Sequence, residues 1–363
     1  MPLGEMMQRL LPRRLIAMLA AFVPALTACG QVFDDTVSVP RDYVGLTTHQ
    51  WPEPYPWGRG ASPAPAFAYG AIRLHDYWWW ASIETADGVF DWSRVDRWIE
   101  ANKGKTCVLT IYGTPPFHAT NGQHKPKGYN FPAGNSIPSY PALARFAVEL
   151  AKRAQGKCEP VIETWNEIST AADGPHHFFS SPDPVVWCRM TKVVFDAVKA
   201  YDPSIRVLAP SQVDWSGLVT KYAQACNTVG VKPDGFPYHF YGIRADSVAK
   251  KIDEIRAALD AAGWQDVPLY NSEFGYLDGK APSADEMKAI LTIAAMKGMK
   301  MMVAFSYDNP HEKHLFGDLS NNKEMQEALE WAHKNVAGRT ITKAVIDRKG
   351  AIRLTYAPAA PAE

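Results

Sequence analysis

The chain has 363 residues, 47% of them hydrophobic, which is enough for one large core or two smaller ones. Its 38 basic and 38 acidic residues cancel, so nothing in the charge balance points to electrostatic capture of nucleic acid. The 12 Trp and 15 Tyr suit either a large core or stacking platforms for sugars.

In chain order, Arg9, Arg13 and Arg14 precede an apolar run, Leu15 to Leu26, that is too short to span a bilayer comfortably. Residues 1–29 therefore read as a signal segment outside the fold. The following Leu26-Thr27-Ala28-Cys29-Gly30 resembles the lipobox of bacterial lipoproteins. That resemblance implies a lipidated Cys29 and a domain that sits on a membrane rather than crossing it. Gly30, not Asp, follows the cysteine. The expected location is thus the bacterial cell envelope, at the outer membrane, facing the periplasm or the exterior. A plain signal peptide cut near Ala28 is the alternative. Residues 30–42 read as a tether.

From residue 43 short apolar runs alternate with longer amphipathic ones, the rhythm of βα units around a parallel sheet. Eight strands are predicted: Tyr43–Thr47, Ala71–Leu74, Thr106–Ile111, Pro160–Trp165, Arg206–Ala209, Gly235–Phe240, Pro268–Ser272 and Met301–Ser306. Helical spacing predicts helices over Ser93–Asn102, Tyr140–Ala154, Pro184–Ala200, Ser247–Ala262, Ser283–Lys297 and Asn322–Asn335. Eight strands with intervening helices match an α/β fold of the (β/α)8 TIM-barrel class, over residues 43–338. An open doubly wound sheet fits the rhythm too, but no Gly-rich phosphate loop follows the first strand. Asp347-Arg348-Lys349-Gly350 separates two alternating runs and predicts a small C-terminal β-hairpin over 339–356, packed on the barrel, with a disordered tail at 357–363. The loops His49–Phe67 and Thr114–Pro138 follow strands and so belong over the active face. Cys107, Cys158, Cys188 and Cys226 have no metal-like spacing; disulfides and buried thiols both fit, and their pairing is not readable from sequence.

The fourth predicted strand delivers Asn166-Glu167 and the seventh delivers Glu273. In a closed barrel these positions share the C-terminal mouth from opposite sides. Two carboxyls flanking a bound sugar are what glycoside cleavage requires: one protonates the leaving oxygen, the other attacks the anomeric carbon or activates a water.

Trp165-Asn166-Glu167 and Asn271-Ser272-Glu273-Phe274-Gly275 resemble the two glutamate motifs of clan A, the retaining (β/α)8 glycosidases. Phe90-Asp91-Trp92-Ser93-Arg94-Val95-Asp96 and Thr114-Pro115-Pro116 are similar to glycoside hydrolase family 39 and its exopolysaccharide-cleaving relatives. The resemblance spans roughly residues 43–320. It implies Glu167 as acid/base and Glu273 as nucleophile. It further implies that Arg73, after Ile72, and Tyr241 hold Glu273 ionised, and that His239 orients Glu167 or touches substrate. Asn166 is placed at a sugar hydroxyl. Trp80, in the run Trp78-Trp79-Trp80, is a candidate substrate contact that would stack a sugar or else plug the barrel mouth, and His75, His118 and Tyr112 are weaker candidate contacts near strand ends. His75 stands where the family tends to carry Trp. The implied function is double-displacement hydrolysis of O-glycosidic bonds in a polysaccharide, endo-acting on an exopolysaccharide or β-glycan, by a monomer with no cofactor and no metal. Its partners would be the glycan and, through the lipid, a membrane. The alternative is a non-catalytic carbohydrate-binding lipoprotein on a glycosidase scaffold; an aldolase or metallohydrolase barrel would call for a strand-end Lys or a His/Asp set.

Overall fold

The structure, a computed structural model, describes residues 30–53, 61–74, 79–121, 136–168, 183–213, 218–276, 281–308 and 319–358. Its centre is a parallel sheet whose members follow in the order Val44–Thr47, Ala71–Leu74, Thr106–Thr110, Glu159–Glu163 and Arg206–Leu208 on one side. Gln212–Val213, Phe236–Tyr241, Leu269–Gly275 and Met302–Ala304 lead back to Val44–Thr47 on the other. Arg206–Leu208 and Gln212–Val213 are two pieces of one fifth barrel strand. Pro210 lies between them and brings no N–H to the ladder, so the strand breaks there. A parallel bridge from Leu208 to Gly235 then joins the fifth strand to the start of the sixth. The predicted eight strands are therefore all present, with ends displaced by a few residues, and the fifth runs on past the proline.

Alternation along the strands separates two cores. Ala71, Val108, Val161, Leu208, Tyr270, Met301 and Val303 form an apolar plug inside the barrel. Their sequence neighbours Ile72, Leu109, Ile162 and Val207 belong to the larger cluster between sheet and helices. The next inward residues of strands two, three and four are Arg73, Thr110 and Glu163, all buried. The plug thus carries a polar layer on the side toward the C-terminal mouth.

Helices Ser93–Ala101, Tyr140–Ala154, Pro184–Tyr201, Val248–Asp260, Ala284–Met296 and Lys323–Asn335 lie where helical spacing puts them. Their starts are chemically marked. Asp183 accepts from the Val185 N–H at 2.9 Å before Pro184, and Ser283 from the Glu286 N–H at 3.2 Å. A helix that was not expected, Val219–Val229, buries Val219, Tyr222, Ala223 and Cys226 and stops at Gly230, whose φ of 78° is the left-handed cap geometry. Cys226 on this helix forms a disulfide with Cys188 on Pro184–Tyr201, with Cα atoms 4.9 Å apart, while Cys107 and Cys158 are free and buried.

The C-terminal hairpin pairs Thr340–Ile346 with Ile352–Tyr356. Its turn is held by the Asp347 carboxylate, which accepts from the N–H groups of Lys349 (2.8 Å) and Ala351 (3.0 Å). The expectation of a free tether over 30–42 is corrected here. Gln31–Phe33 and Val37–Ser38 both pair antiparallel with Thr340–Ile346, completing a four-stranded sheet on helix Ala284–Met296. An otherwise open hairpin edge captured this polar-looking segment, because its unpaired backbone groups offered a ladder.

Candidate active site

All eight barrel strands run the same way, so their C-terminal ends collect at one mouth. Six of the residues singled out from sequence meet there: Arg73, Asn166, Glu167, His239, Tyr241 and Glu273.

Arg73 is the hub. Its Nε donates to Glu163 Oε2 at 2.7 Å, its Nη1 donates to Glu273 Oε1, and its Nη2 donates to Asn166 Oδ1 at 2.8 Å. Its side chain is completely buried. Burial alone would lower its pKa, but the charges of Glu163 and Glu273 outweigh this and raise it above the ordinary arginine value. A guanidinium is the one side chain that can reach three acceptors in a fixed planar fork.

Glu163 is a site residue that reading from sequence missed as such. Besides Arg73 it accepts Thr110 Oγ1 at 2.6 Å on Oε2 and Ser272 Oγ at 2.6 Å on Oε1. Burial pushes its carboxyl up, yet the Arg73 charge, then His239, Ser272 and Thr110, bring it below the usual carboxylate value. The available signal was its parity: it stands two residues after the inward Val161.

Tyr241 donates its hydroxyl to Glu273 Oε2. His239 and Tyr241 are two apart on strand six, so both face the site while Phe240 packs outward. His239 Nδ1 lies 2.8 Å from Glu167 Oε1 and 3.5 Å from Glu273 Oε2, and its Nε2 lies 3.0 Å from Ser272 Oγ. Ser272 and Glu273 are neighbours in sequence, and strict alternation would send them to opposite faces. The register with strand eight shifts between Asn271 and Phe274, and this irregularity lets both reach the polar layer.

Glu167 is partly open to solvent, with 12% of its side chain exposed. Its φ of 43° makes it a non-glycine residue in the left-handed region, a sparsely populated conformation for a side chain of this type. Its N–H donates to Ser211 Oγ at 3.1 Å, which holds the turn. One oxygen of Glu167, one oxygen of Glu273 and a ring nitrogen of His239 all lie within 4.8 Å of one another. An oxygen of each carboxylate therefore faces the other across the mouth, with the His239 ring between them.

Trp80 is not part of this group, and its expected role as a substrate contact is corrected. It is fully buried, stacks on Phe146 with ring centres 5.1 Å apart, and donates its indole N–H to Glu84. A buried indole needs an acceptor, and the buried Glu84 supplies it. His118 is drawn to the same carboxylate, with Nε2 3.0 Å from Glu84 Oε1. Glu84, Asp87 and His118 have donor atoms within 4.8 Å of one another, but Arg145 Nη2 bonds Glu84 Oε1 at 2.9 Å and Asp87 Oδ1 at 2.6 Å and so takes the place of a cation. Tyr112 is buried beside Trp79, with ring centres 6.1 Å apart. His75 and Cys29 lie outside the described residues.

No family model and no curated protein matches the chain. Solved structures do. A family 39 β-xylosidase from Caulobacter crescentus aligns with a TM-score of 0.58 and 20% identity, over 78% of this chain and 67% of that one. A family 39 enzyme from Xanthomonas axonopodis pv. citri aligns with a TM-score of 0.60 and 16% identity, over 86% and 73%. A family 39 glycoside hydrolase from the gut symbiont Bacteroides cellulosilyticus WH2 aligns with a TM-score of 0.57 and 15% identity, over 86% and 69%. At these identities the likeness is one of fold, and the chain has the TIM-barrel fold of the glycoside hydrolases.

Proposed function

We propose that this chain is a retaining glycoside hydrolase with Glu273 as nucleophile and Glu167 as acid/base. The observation that carries the reading is the pair of strand-end carboxylates that bring one oxygen each within 4.8 Å, one bonded by Arg73 and Tyr241 and the other by His239.

In the first step a Glu273 oxygen attacks the anomeric carbon as the glycosidic C–O bond breaks, and the Glu167 proton goes to the departing oxygen. Arg73 and Tyr241 hold the attacking carboxylate in place through one hydrogen bond to each of its oxygens. In the second step a water gives its proton to Glu167 while its oxygen displaces Glu273 from the same carbon. Configuration is retained by two inversions. Asn166, fixed through its Oδ1 by Arg73, keeps its amide N–H groups for a sugar hydroxyl.

The neighbours named above include a β-xylosidase, so aryl β-xylosides are the first probes, followed by bacterial exopolysaccharides and plant β-glycans. Glu167→Gln should leave the first step on a dinitrophenyl glycoside within about tenfold of wild type, because that leaving group needs little protonation. It should slow an alkyl glycoside or polymer by about 10²–10⁴-fold. A uniform loss across leaving groups would reject Glu167 as the acid.

The substrate we propose is a polymer met at the cell envelope, reached by a domain anchored through lipidated Cys29. Gly30 leads directly into the strand Gln31–Phe33, so the barrel would stand close to the bilayer. Labelled palmitate should enter the wild-type chain, and Cys29→Ser should abolish labelling and release the protein from membranes. Unchanged membrane association would reject the anchor.

A further inference from the structure

A continuous run of hydrogen bonds links the two carboxylates through the barrel interior. Glu167 Oε1 meets His239 Nδ1 at 2.8 Å, His239 Nε2 meets Ser272 Oγ at 3.0 Å, and Ser272 Oγ donates to Glu163 Oε1 at 2.6 Å. Glu163 Oε2 then accepts from Arg73 Nε at 2.7 Å, and Arg73 Nη1 donates to Glu273. Donor counting along this run has one solution. Arginine only donates, and an ionised carboxylate only accepts. Glu163 is ionised beside Arg73, so the single Ser272 O–H is spent on it. Ser272 Oγ can therefore only accept from His239, and the hydrogen between them must sit on Nε2.

We propose that Glu163, acting through Ser272, locks His239 with a hydrogen on Nε2, so that the Glu167–Nδ1 hydrogen bond must contain the one proton that Glu167 delivers to the leaving oxygen. This rests on the glycosidase reading and adds to it the source of the acid's proton. A neutral imidazole with its hydrogen on Nε2 offers only a lone pair at Nδ1. The 2.8 Å contact to Glu167 is then a bond only if a proton lies in it. The same Nδ1 stands 3.5 Å from Glu273 Oε2, so loss of that proton would set two carboxylates against a lone pair. Among the described residues, the groups facing the ring include Glu167 after strand four, Tyr241 on strand six, and Glu273 and Ser272 on strand seven, with Glu163 and Arg73 behind them.

The proton balance closes over the cycle. In the first step the proton leaves the Glu167–His239 bond for the glycosidic oxygen, as the ester to Glu273 forms and cancels that carboxylate's charge. The now anionic Glu167 faces the Nδ1 lone pair, which favours its taking a proton from the attacking water. The second step returns the bond to its starting state. Glu163 and Ser272 touch no substrate atom in this scheme; they are positioning residues.

The experiment is ¹⁵N NMR of the histidine side chains in the full chain, held in detergent micelles, from pH 5 to 8. His239→Gln identifies the relevant signals among the ten histidines. Wild type should carry hydrogen on Nε2 throughout. Ser272→Ala removes the acceptor, and Glu163→Gln supplies an amide donor that turns the Ser272 hydroxyl toward the ring. Each should shift the tautomer ratio toward Nδ1–H by about tenfold, the upper scale of one hydrogen bond between uncharged groups. Ser272→Ala keeps the test available if Glu163→Gln fails to fold beside Arg73. A wild-type ring with its only hydrogen on Nδ1 would overturn the proposal, as would Nε2–H staying dominant in the folded variants. These signals need no turnover. A chain with the stated tautomer that hydrolyses no glycoside would reject the catalytic reading and leave the lock standing.

Discussion

Glu273→Gln is expected to lower kcat/KM on aryl β-xylosides by at least about 10⁴-fold, because no covalent ester can form through an amide. The fold should survive. Glutamine is isosteric with glutamate, and Arg73 keeps its partner Glu163 in the barrel interior. The local bonding still changes. Glu273 accepts from Arg73 on one oxygen and from Tyr241 on the other, and glutamine has only one acceptor for those two donors. A modest drop in stability is therefore expected alongside the loss of turnover. Added azide separates the two effects. With Glu273→Ala, azide in the emptied space should attack an activated glycoside directly and give a product of inverted configuration. Retention of more than about 1% of wild-type activity by the glutamine variant, some hundredfold above the expected floor, would remove Glu273 from the nucleophile's role.

Arg73→Met should be the most destabilising single change at the site, by about 3–5 kcal/mol. It leaves Glu163 and Glu273 buried without their counter-charge, and a partner-less buried carboxylate costs more than the intact pair contributes. Arg73→Lys should cost less but still fail in function. A lysine keeps the charge but cannot hold Glu163, Glu273 and Asn166 in one planar fork. Displacing the reacting carboxylate by about 1 Å is enough to lose about 10²-fold in rate. Urea denaturation gives the stability term, read as a change in midpoint at constant m. Two controls identify the cause. Adding Glu163→Gln to Arg73→Met should recover part of the loss, because one uncompensated charge is gone. The deficit should also shrink as pH falls through the carboxylate range. In the variant, protonating the stranded carboxylates becomes favourable in the folded state, so stability is lost as pH rises. A deficit that ignores both pH and the second substitution would mean that lost packing, not charge, is responsible.

What was legible in the sequence follows from periodicity. The strands of a parallel barrel are buried on both faces, so each reads as an apolar run bounded by turns, and all eight stood out at nearly their true ends. Strand-end glutamates on the fourth and seventh runs were legible for the same reason, since the direction of a parallel strand determines which end opens on the mouth. The pairing of His239 with Tyr241 on one face needed only the two-residue period. Helix Val219–Val229 was legible in principle, with buried residues at positions 219, 222, 223 and 226, but its intervening polar residues masked the pattern.

The rest was decided by contacts across the barrel. No local pattern marks Glu163 as the carboxylate under Arg73, because its partners come from strands two, three and seven. Ser272 and Glu273 share a face only through the register shift in strand seven, a property of its pairing with strand eight. Trp80 looked like a sugar platform until Glu84 and Phe146 claimed it. Residues 31–38 looked like a tether until the hairpin edge offered them a ladder. The sequence by itself determined which residues are strands, which way they run and which chemistry stands at their ends, since those depend on nearest neighbours along the chain. Only the tertiary structure decided which charge neutralises which and which hydrogen bond carries the proton, since those depend on residues tens to hundreds of positions apart.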